Sequence, residues 1–163
     1  MVIHNYHPSD STAVGMLIAE TYGQVNLGYL PEDQRAPYLG PFQHAKSSRL
    51  EDQQAIARLI QAPIVYVAKE NGEIIGVLRG SSGRLHSLFV DQGHHRKGIG
   101  RQLMEKFEGE CRTLGAEKIS LAATLFAVPF YASLDYKKST GVRSGWSFDG
   151  EGFQWQPMKK ILN

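Results

Sequence analysis

A short basic segment lies where two ordinary elements of structure meet. Residues 90–104 read VDQGHHRKGIGRQLM, after the strand-like apolar run LHSLFV and before a helical apolar pattern. The segment carries His95, Arg96 and Lys97, with Arg101 one helical turn later. A helix start already has a partial positive charge and usually attracts Asp or Glu. The sequence therefore predicts an anion at this helix start.

The glycines of the segment make it suitable for binding phosphate. Gly98 and Gly100 leave backbone N–H groups open to a ligand, and the Arg and Lys side chains can add charge-assisted contacts. The spacing matches neither the P-loop, G-x-x-x-x-G-K-[ST], nor the dinucleotide fingerprint, G-x-G-x-x-G. We expect a phosphate or pyrophosphate here. The alternative is a basic turn whose glycines only permit a tight connection.

Helices are predicted before this segment. LPEDQRAPYL indicates a short helix begun by Pro31 and ended by Pro37. SRLEDQQAIARLI opens with Ser48 and Glu51 in capping-box spacing. Its apolar face contains Leu50, Ile56, Leu59 and Ile60, and the first helix of the chain has the stripe Val14, Leu17, Ile18, Tyr22 and Val25.

Strands are predicted on both sides of the segment. Asn71-Gly72 is a hairpin signal between two β-rich runs, and a third strand from Leu85 to Val90 completes an antiparallel meander. The helix after the segment should end at Gly115, with KISLAA as a strand parallel to the one before that helix. FAVPFYASLDY indicates a short helix with Pro129 in its first turn. SGWSFDGEG reads as a turn before a last strand, GFQWQPMKKIL.

The composition is that of one α/β domain spanning residues 1–163. Hydrophobic residues make up 42% and charged residues 21% of the 163 residues, and no apolar stretch approaches the length of a membrane span. The first residues do not resemble a signal peptide, and Cys111 is the single cysteine, so we expect a cytoplasmic protein. A net charge of +2 is too mild to indicate a nucleic-acid or membrane partner.

The sequence resembles the GNAT superfamily of N-acetyltransferases. The acyl-CoA loop of that superfamily follows Gln/Arg-x-x-Gly-x-Gly/Ala between a strand ending in Leu-x-Val and a long helix, which here is LFVDQGHHRKGIGRQLM. The resemblance covers about the whole chain. The sequence departs from the family pattern at His95, at Arg96, which replaces a common glycine, and at Gln92, where proline is frequent. The resemblance implies an α+β type fold with a mixed, largely antiparallel sheet, flanking helices and a splayed central strand pair.

The resemblance also implies acetyl-CoA as the acyl donor and no metal. The pantetheine arm would bond to backbone groups of the strand before the loop, and the loop would hold the pyrophosphate. Family members often have Asn where Thr124 stands. The implied cofactor contacts are Leu88, Phe89, Val90, His95, Arg96, Lys97, Gly98, Ile99, Gly100, Arg101, Thr124 and Phe130.

Acetyl transfer to an amine requires two proton transfers. A primary amine has a pKa near ~10 and must lose a proton, whereas the departing thiolate, with a thiol pKa of roughly 8.5, gains from receiving one. Tyr131 matches the family tyrosine that usually protonates the thiolate. For the base, His86 has a suitable unperturbed pKa, and at most one of His86 and Ser87 faces the cavity directly. The alternatives are water and the carboxylates Glu20, Glu32 and Asp33.

The acceptor is not determined by the sequence. A small-molecule amine or a peptide N-terminus would both serve, and exposed edge strands would allow a homodimer. A non-catalytic acyl-CoA sensor is the alternative function, and a nucleic-acid-binding module has weak support from four clustered basic residues. The side chains that could shape an acceptor pocket are Tyr22, Asn26, Tyr29, Tyr38, Trp146 and Trp155.

Overall fold

One eight-stranded sheet carries the fold in the computed structural model, which describes residues 1–163. The strands are β1 Val2–Asn5, β2 Ile64–Glu70, β3 Glu73–Ser81, β4 Arg84–Val90, β5 Lys118–Thr124, β6 Lys137–Lys138, β7 Arg143–Ser147 and β8 Gly150–Ile161. The helices are α1 Ser11–Thr21, α2 Ala36–Leu39, α3 Leu50–Ile60, α4 Ile99–Thr113 and α5 Val128–Ser133. None of these helices is both long and apolar enough to cross a membrane.

The sheet opens in its middle. Its order is β1-β2-β3-β4-β5-β8-β6, with β7 paired to β8, and only the β4–β5 pair is parallel. That pair shares a single register position, Arg84 opposite Ser120. The two strands therefore separate beyond their first residues, and the predicted α/β class with a splayed central pair is confirmed.

The two faces of β4 belong to different cores. Leu88 and Val90 pack against the cluster that contains α4 and α5, whereas Phe89 packs against the cluster of α1 and α3. This division follows from the alternation of side chains along a strand. An irregularity in the β3–β4 pairing, between Arg79 and Gly80, precedes these residues and skips His86 in the register.

Local signals predicted several boundaries correctly. Asn71 and Gly72 have φ values of 51° and 81° and form the β2–β3 turn. Gly115, with φ of 85°, ends α4, because its N–H and that of Ala116 bond to the carbonyls of Arg112 and Cys111. This is the Schellman pattern that favours glycine. Pro129 lies in the first turn of α5 as predicted.

Four predictions at the element level were wrong. Pro37 lies in the first turn of α2 rather than ending a helix, because a missing N–H does no harm in a first turn. Ser48 does not cap α3; Ser47 instead accepts a bond from the Arg49 N–H. Leu50 is 67% exposed at the start of α3. The segment SGWSFDGEG contributes part of β7 and the start of β8, paired as a hairpin, rather than one turn.

Candidate active site

The start of α4 has free backbone donors. Gly98, with φ of 82°, is the N-cap, and no side chain caps the helix. The first bond within the helix runs from the Gln102 N–H to the Gly98 carbonyl at 3.0 Å. The N–H groups of Ile99, Gly100 and Arg101 thus have no partner within the helix. No acidic residue lies in the first turn, so the positive end of the helix dipole is not neutralised.

Three cations beside these donors have no ion-pair partner. Arg96, Lys97 and Arg101 are exposed, and none belongs to any of the salt bridges of the protein. Arg96 has φ of 63°, in the left-handed region that favours glycine. The neighbouring His94 is engaged, since its ring nitrogens lie 2.7 Å from Asp91 Oδ2 and 3.3 Å from Glu70 Oε2. The charge available to an anion therefore comes from the arginines and the lysine.

His95 folds back onto the end of β4. Its Nε2–H donates to the Val90 carbonyl at 2.7 Å, which commits that ring nitrogen to the protein. The Asp91 N–H bonds to the Ile75 carbonyl at 2.8 Å and holds the same strand end to β3. The entrance to the loop is thus fixed from both sides of β4.

The gap between β4 and β5 leads from the loop into the protein. Residues 87–90 of β4 pair with β3 but have no strand partner on the β5 side. Apart from the Val90 carbonyl, which accepts the His95 bond, the backbone N–H and C=O groups along this edge are available to an extended ligand. Thr124, at the far end of β5, is half-buried, and its Oγ1 accepts a bond from Asn26 Nδ2 at 3.2 Å.

Tyr131 lies on the α5 side of this gap. It is 6% exposed and belongs to the same core cluster as Leu103 of α4. The Phe130 and Tyr131 ring centroids are 5.1 Å apart, and the Phe130 ring would lie 3.1 Å from a Cβ on Gly100. The short α5 therefore packs directly on the start of α4, where Gly100 leaves room for it.

The Tyr131 hydroxyl is protonated at neutral pH. Burial raises the pKa of this phenol well above its usual range. The Tyr131 hydroxyl makes no hydrogen bond with the protein. It is nevertheless not fully buried, because the Tyr6 oxygen is the one fully buried side-chain polar atom without a partner. The Tyr131 oxygen thus retains contact with open space and can act as a donor.

The predicted base residues lie apart from each other. His86 is exposed on β4, with Nε2 3.3 Å from Ser81 Oγ. Partial desolvation, with the nearby charges of Arg79 and Arg84, lowers the pKa of His86, so its ring is neutral at pH 7. Ser87 is engaged by Arg79 Nη1 at 3.3 Å. The three carboxylates considered as alternatives, Glu20, Glu32 and Asp33, are all exposed.

Aromatic rings occupy the α1 side of the gap. Tyr22 begins a π-helical turn, Tyr22–Asn26, at the end of α1, and its ring centroid is 5.9 Å from Phe89 and 6.0 Å from Phe153. Ser147 Oγ donates to the Tyr38 carbonyl at 2.9 Å. Its single proton is used there, so the Tyr22 hydroxyl is the donor in its own bond to Ser147. Burial raises the pKa of Tyr22 to about 12.

The β7–β8 hairpin is locked to the segment around α2. The Tyr38 hydroxyl donates to the Glu151 carbonyl at 2.6 Å, and the Asp149 N–H donates to the Pro37 carbonyl at 3.1 Å. The Phe42 and Phe148 rings meet edge to face at 6.2 Å. The same hairpin contacts the aromatic group of Tyr22, Phe89 and Phe153 through the Tyr22–Ser147 bond and the Tyr22–Phe153 ring pair. Of the other predicted acceptor residues, Tyr29 and Trp146 are 63% and 64% exposed, and Trp155 is half-buried opposite Thr124.

A metal site is absent, and a surface groove lies away from the gap. No group of three or more His, Cys, Asp or Glu side chains is placed to hold a metal ion. A shallow groove of about 560 Å³ lies at the opposite end of α4 from the glycine loop. It is lined by Ser82, Gly83, Leu114, Gly115, Ala116, Glu117, Lys118 and Ile161.

Sequence reasoning missed the polar contacts around the gap. Asn26 and Tyr22 were named as residues that could shape a pocket, but their partners Thr124 and Ser147 are 98 and 125 positions away. A carboxylate on the apolar face of α4, Glu108, was also missed. Its position four residues after Met104 and three before Cys111 was a visible signal.

Both the sequence and the structure of this chain match known acetyltransferases. Residues 19–162 match the family model described as an acetyltransferase (GNAT) domain. No curated protein sequence matches. A solved GCN5-related N-acetyltransferase from Rhodopseudomonas palustris superposes with a TM-score of 0.82 at 18% identity, covering 99% of this chain and 95% of that one.

Two further solved structures contain coenzyme A. A PaiA N-acetyltransferase from Thermoplasma acidophilum has a TM-score of 0.69 at 17% identity, with 98% of each chain covered. An aminoglycoside 6'-N-acetyltransferase has a TM-score of 0.67 at 16% identity, covering 100% of this chain and 98% of that one. These likenesses confirm the fold, and the family match confirms the resemblance seen in the loop. The chain belongs to the GNAT family of acetyltransferases.

Proposed function

We propose that this protein transfers an acetyl group from acetyl-CoA to a primary amine by direct attack. The observation that carries the proposal is the helix start with free N–H groups and three unpaired cations, placed at the mouth of a gap in the sheet. A pyrophosphate supplies the negative charge that this site lacks. Coenzyme A is the ligand in two structures with the same fold, which supports the choice of donor.

The residues of the gap have distinct roles in the proposed reaction. Arg96, Lys97 and Arg101 hold the pyrophosphate with the loop amides, and the unpaired edge of β4 binds the pantetheine arm. The amine nitrogen attacks the thioester carbonyl carbon and loses a proton to the base, while a backbone N–H near Val90 stabilises the oxyanion. The C–S bond then breaks, and the thiolate takes the Tyr131 proton.

Burial keeps Tyr131 suited to this role although it raises the phenol pKa. The same apolar surroundings raise the pKa of a thiol, as burial does for Cys111 in the same core. A thiolate released beside Tyr131 therefore becomes more basic together with the phenol. The proton transfer depends on the difference between the two pKa values, and burial of both groups widens that difference less than burial of the phenol alone.

His86 is the proposed base, because its lowered pKa leaves a neutral ring at pH 7. The rate then falls as pH drops through that pKa, when the ring becomes charged. Water and the carboxylates Glu20, Glu32 and Asp33 are the alternatives. Unchanged turnover in a His86→Gln variant would show that one of these alternatives is the base.

The proposed acceptor is a small-molecule amine or a peptide N-terminus. Aminoglycoside acetyltransferases are among the structures with this fold, which supports a small amine.

We propose that residues 1–163 act as one domain, because both halves of the sheet contribute to the gap. The lone buried Cys111 fits a reducing compartment, so the cytoplasm is the proposed location. A homodimer is proposed from the open edge of β1, and a monomer in sedimentation at high concentration would contradict it.

Two measurements test the function. Calorimetry with acetyl-CoA should give saturable binding, and folded protein without such binding would contradict the proposal. Release of the CoA thiol is then followed with a panel of a polyamine, an aminoglycoside, an amino acid and a tripeptide. Binding without thiol release from any amine would identify an acyl-CoA sensor instead.

Tyr131→Phe tests the acid role. The variant keeps the ring and its packing but has no proton to donate, so kcat should fall about 10²-fold, within the range for general acid catalysis. The Kd for acetyl-CoA should stay within twofold, since the proposed cofactor contacts lie elsewhere. Unchanged turnover would remove Tyr131 from the acid role.

A further inference from the structure

A buried carboxylate lies behind the proposed acid. Glu108, on the apolar face of α4, is 6% exposed. Both of its oxygens accept bonds from Lys160 Nζ, at 2.9 and 3.1 Å, and Oε1 also accepts the Tyr136 hydroxyl proton at 3.1 Å. Arg112 lies 3.6 Å away. We call Glu108, Arg112, Tyr136 and Lys160 the Glu108 network. It joins α4 and β8 to Tyr136, which lies three residues after the end of α5.

Tyr136 connects the Glu108 network to Tyr131. Asp135, with φ of 70°, ends α5, and the Tyr136 N–H donates to the Tyr131 carbonyl at 3.1 Å. The Asp135 N–H bonds to the Ala132 carbonyl at 3.1 Å, which completes a Schellman end. The Tyr131 and Tyr136 rings meet edge to face, with centroids 5.9 Å apart and planes at 71°. Tyr136 therefore holds Tyr131 through both backbone and ring.

The direction of the Tyr131 hydroxyl depends on this packing. The hydroxyl makes no hydrogen bond with the protein, so the orientation of the Tyr131 ring depends on its edge-to-face contacts with Phe130 and Tyr136. The Tyr136 ring is in turn fixed by its bond to Glu108 and by Lys160 Nζ, 5.6 Å from its centroid. An apolar side chain at position 136 could fill the core without any partner, and a buried ion pair is often no more stable than apolar packing. The network thus specifies an orientation that core filling alone does not require.

We propose that Tyr136, anchored by Glu108 and Lys160, is a positioning residue that orients the Tyr131 hydroxyl for proton donation. This inference rests on the proposed function, in which Tyr131 is the acid. Tyr136 acts through Tyr131 and does not touch the reacting atoms. Its loss should therefore lower kcat and leave the affinity for acetyl-CoA unchanged.

Tyr136→Phe is the main test, because it keeps the ring and removes only the hydroxyl bond. We expect kcat to fall about tenfold, the lower end of the range for groups that orient a metal-binding side chain. The Kd for acetyl-CoA, measured by calorimetry, should stay within twofold. Turnover is measured as thiol release with the best acceptor of the amine panel. Unchanged kcat would overturn the proposal while leaving the acid role of Tyr131 standing.

Tyr66→Phe is the matched control. Tyr66 is 6% exposed in the same core cluster and also lies under a lysine, with Lys106 Nζ 5.0 Å from its ring centroid. The Tyr131 ring pairs with Phe130 and Tyr136 and not with Tyr66, so removal of the Tyr66 hydroxyl should leave kcat unchanged. An equal loss of kcat in both variants would identify a general core effect and overturn the proposal.

A double variant separates the two roles. If Tyr136 acts through Tyr131, the Tyr136→Phe change should cost nothing further in the Tyr131→Phe background. Additive losses would overturn the positioning role. Unchanged kcat in the Tyr131→Phe single variant would instead overturn the acid role of Tyr131. That result does not depend on any change at Tyr136.

A spectroscopic measurement needs no acceptor. In protein with 13C-labelled tyrosine, the Tyr131 ring signals are assigned by their loss in Tyr131→Phe. Tyr136→Phe should shift these signals, and Tyr66→Phe should not. Tyr131 signals that do not move in Tyr136→Phe would contradict the proposal.

Discussion

Arg96 combines a favourable charge with an unfavourable backbone. Its side chain is a free cation at the start of α4, yet its φ of 63° is one that a side chain resists. A residue other than glycine in this conformation costs roughly 1 kcal/mol. The sequence showed that a common family glycine was replaced here, and the structure gives that replacement a physical cost. The strained residue lies next to Lys97 and Gly98, in the loop that should meet the anion.

Two substitutions at Arg96 separate charge from strain. Arg96→Ala and Arg96→Gly both remove the cation, so both should weaken acetyl-CoA binding several-fold at low salt. Only Arg96→Gly relieves the backbone, so its free energy of unfolding should exceed that of Arg96→Ala by about 1 kcal/mol. Calorimetry and urea unfolding measure the two effects, with Lys97→Ala as a control for charge alone. Equal stability of the two Arg96 variants would show that the conformation carries no strain.

Single residues could be placed from the sequence only where the signal was local. Tyr131 and the loop glycines lie in short patterns whose spacing is set by one strand, one turn and one helix. Glu108 was visible as a carboxylate on an apolar face, but its partner Lys160 lies 52 positions away. Such a pairing depends on which strand lies beside α4, and no local pattern encodes that choice.

At the scale of elements, strong periodicity predicted α1, α3, α4 and the β2–β3 hairpin. The missed elements are short or lie at edges. β1 has four residues at one edge of the sheet, and β7 lies in a glycine-rich stretch that favours turns. α2 is a four-residue helix that holds its place through contacts with β7 and β8. Tertiary packing determines these elements, so their own sequence carries little signal.

The lock between α2 and the β7–β8 hairpin gives a prediction about the acceptor. A Cβ on Gly150 would overlap the Tyr38 ring, so Gly150→Ala should push the hairpin away from α2. The bond from Tyr38 to Glu151 and the contacts of Tyr22 with Ser147 and Phe153 would weaken. We expect the KM for the acceptor to rise about tenfold or more, as a displacement near 1 Å can cost up to 10²-fold, while the Kd for acetyl-CoA stays within twofold.

Gly141→Ala is the control for that change. Gly141 precedes β7, has no positive φ, and a Cβ there would meet nothing within 4 Å. Steady-state kinetics with the best amine and calorimetry with acetyl-CoA compare the two variants. A Gly150→Ala protein that loses affinity for acetyl-CoA to the same degree as for the amine would contradict a role confined to the acceptor side.

At the scale of the molecule, the sheet is two halves joined weakly along their shared edge. β4 and β5 meet at one residue pair, and α4 joins the halves because it packs on β2, β3 and β4 while its Glu108 binds Lys160 of β8. The Asn26–Thr124 bond is a further link between the halves. A ligand that bonds to the free edge of β4 and to the start of α4 therefore completes structure that the protein leaves open.

Acetyl-CoA should stabilise the whole protein by filling this gap. At a free concentration about 100 times its Kd, binding to the native state adds ~2.7 kcal/mol. For a chain of this size that is a rise in Tm of roughly 5–10 °C, measured by differential scanning fluorimetry. Hydrogen exchange should slow most at the facing edges of β4 and β5 and least in β1 at the sheet edge. Pantetheine, which lacks the pyrophosphate, should give a smaller rise, because the cations of the loop stay unpaired. A Tm shift without added protection in β4 would mean that the ligand binds outside the gap.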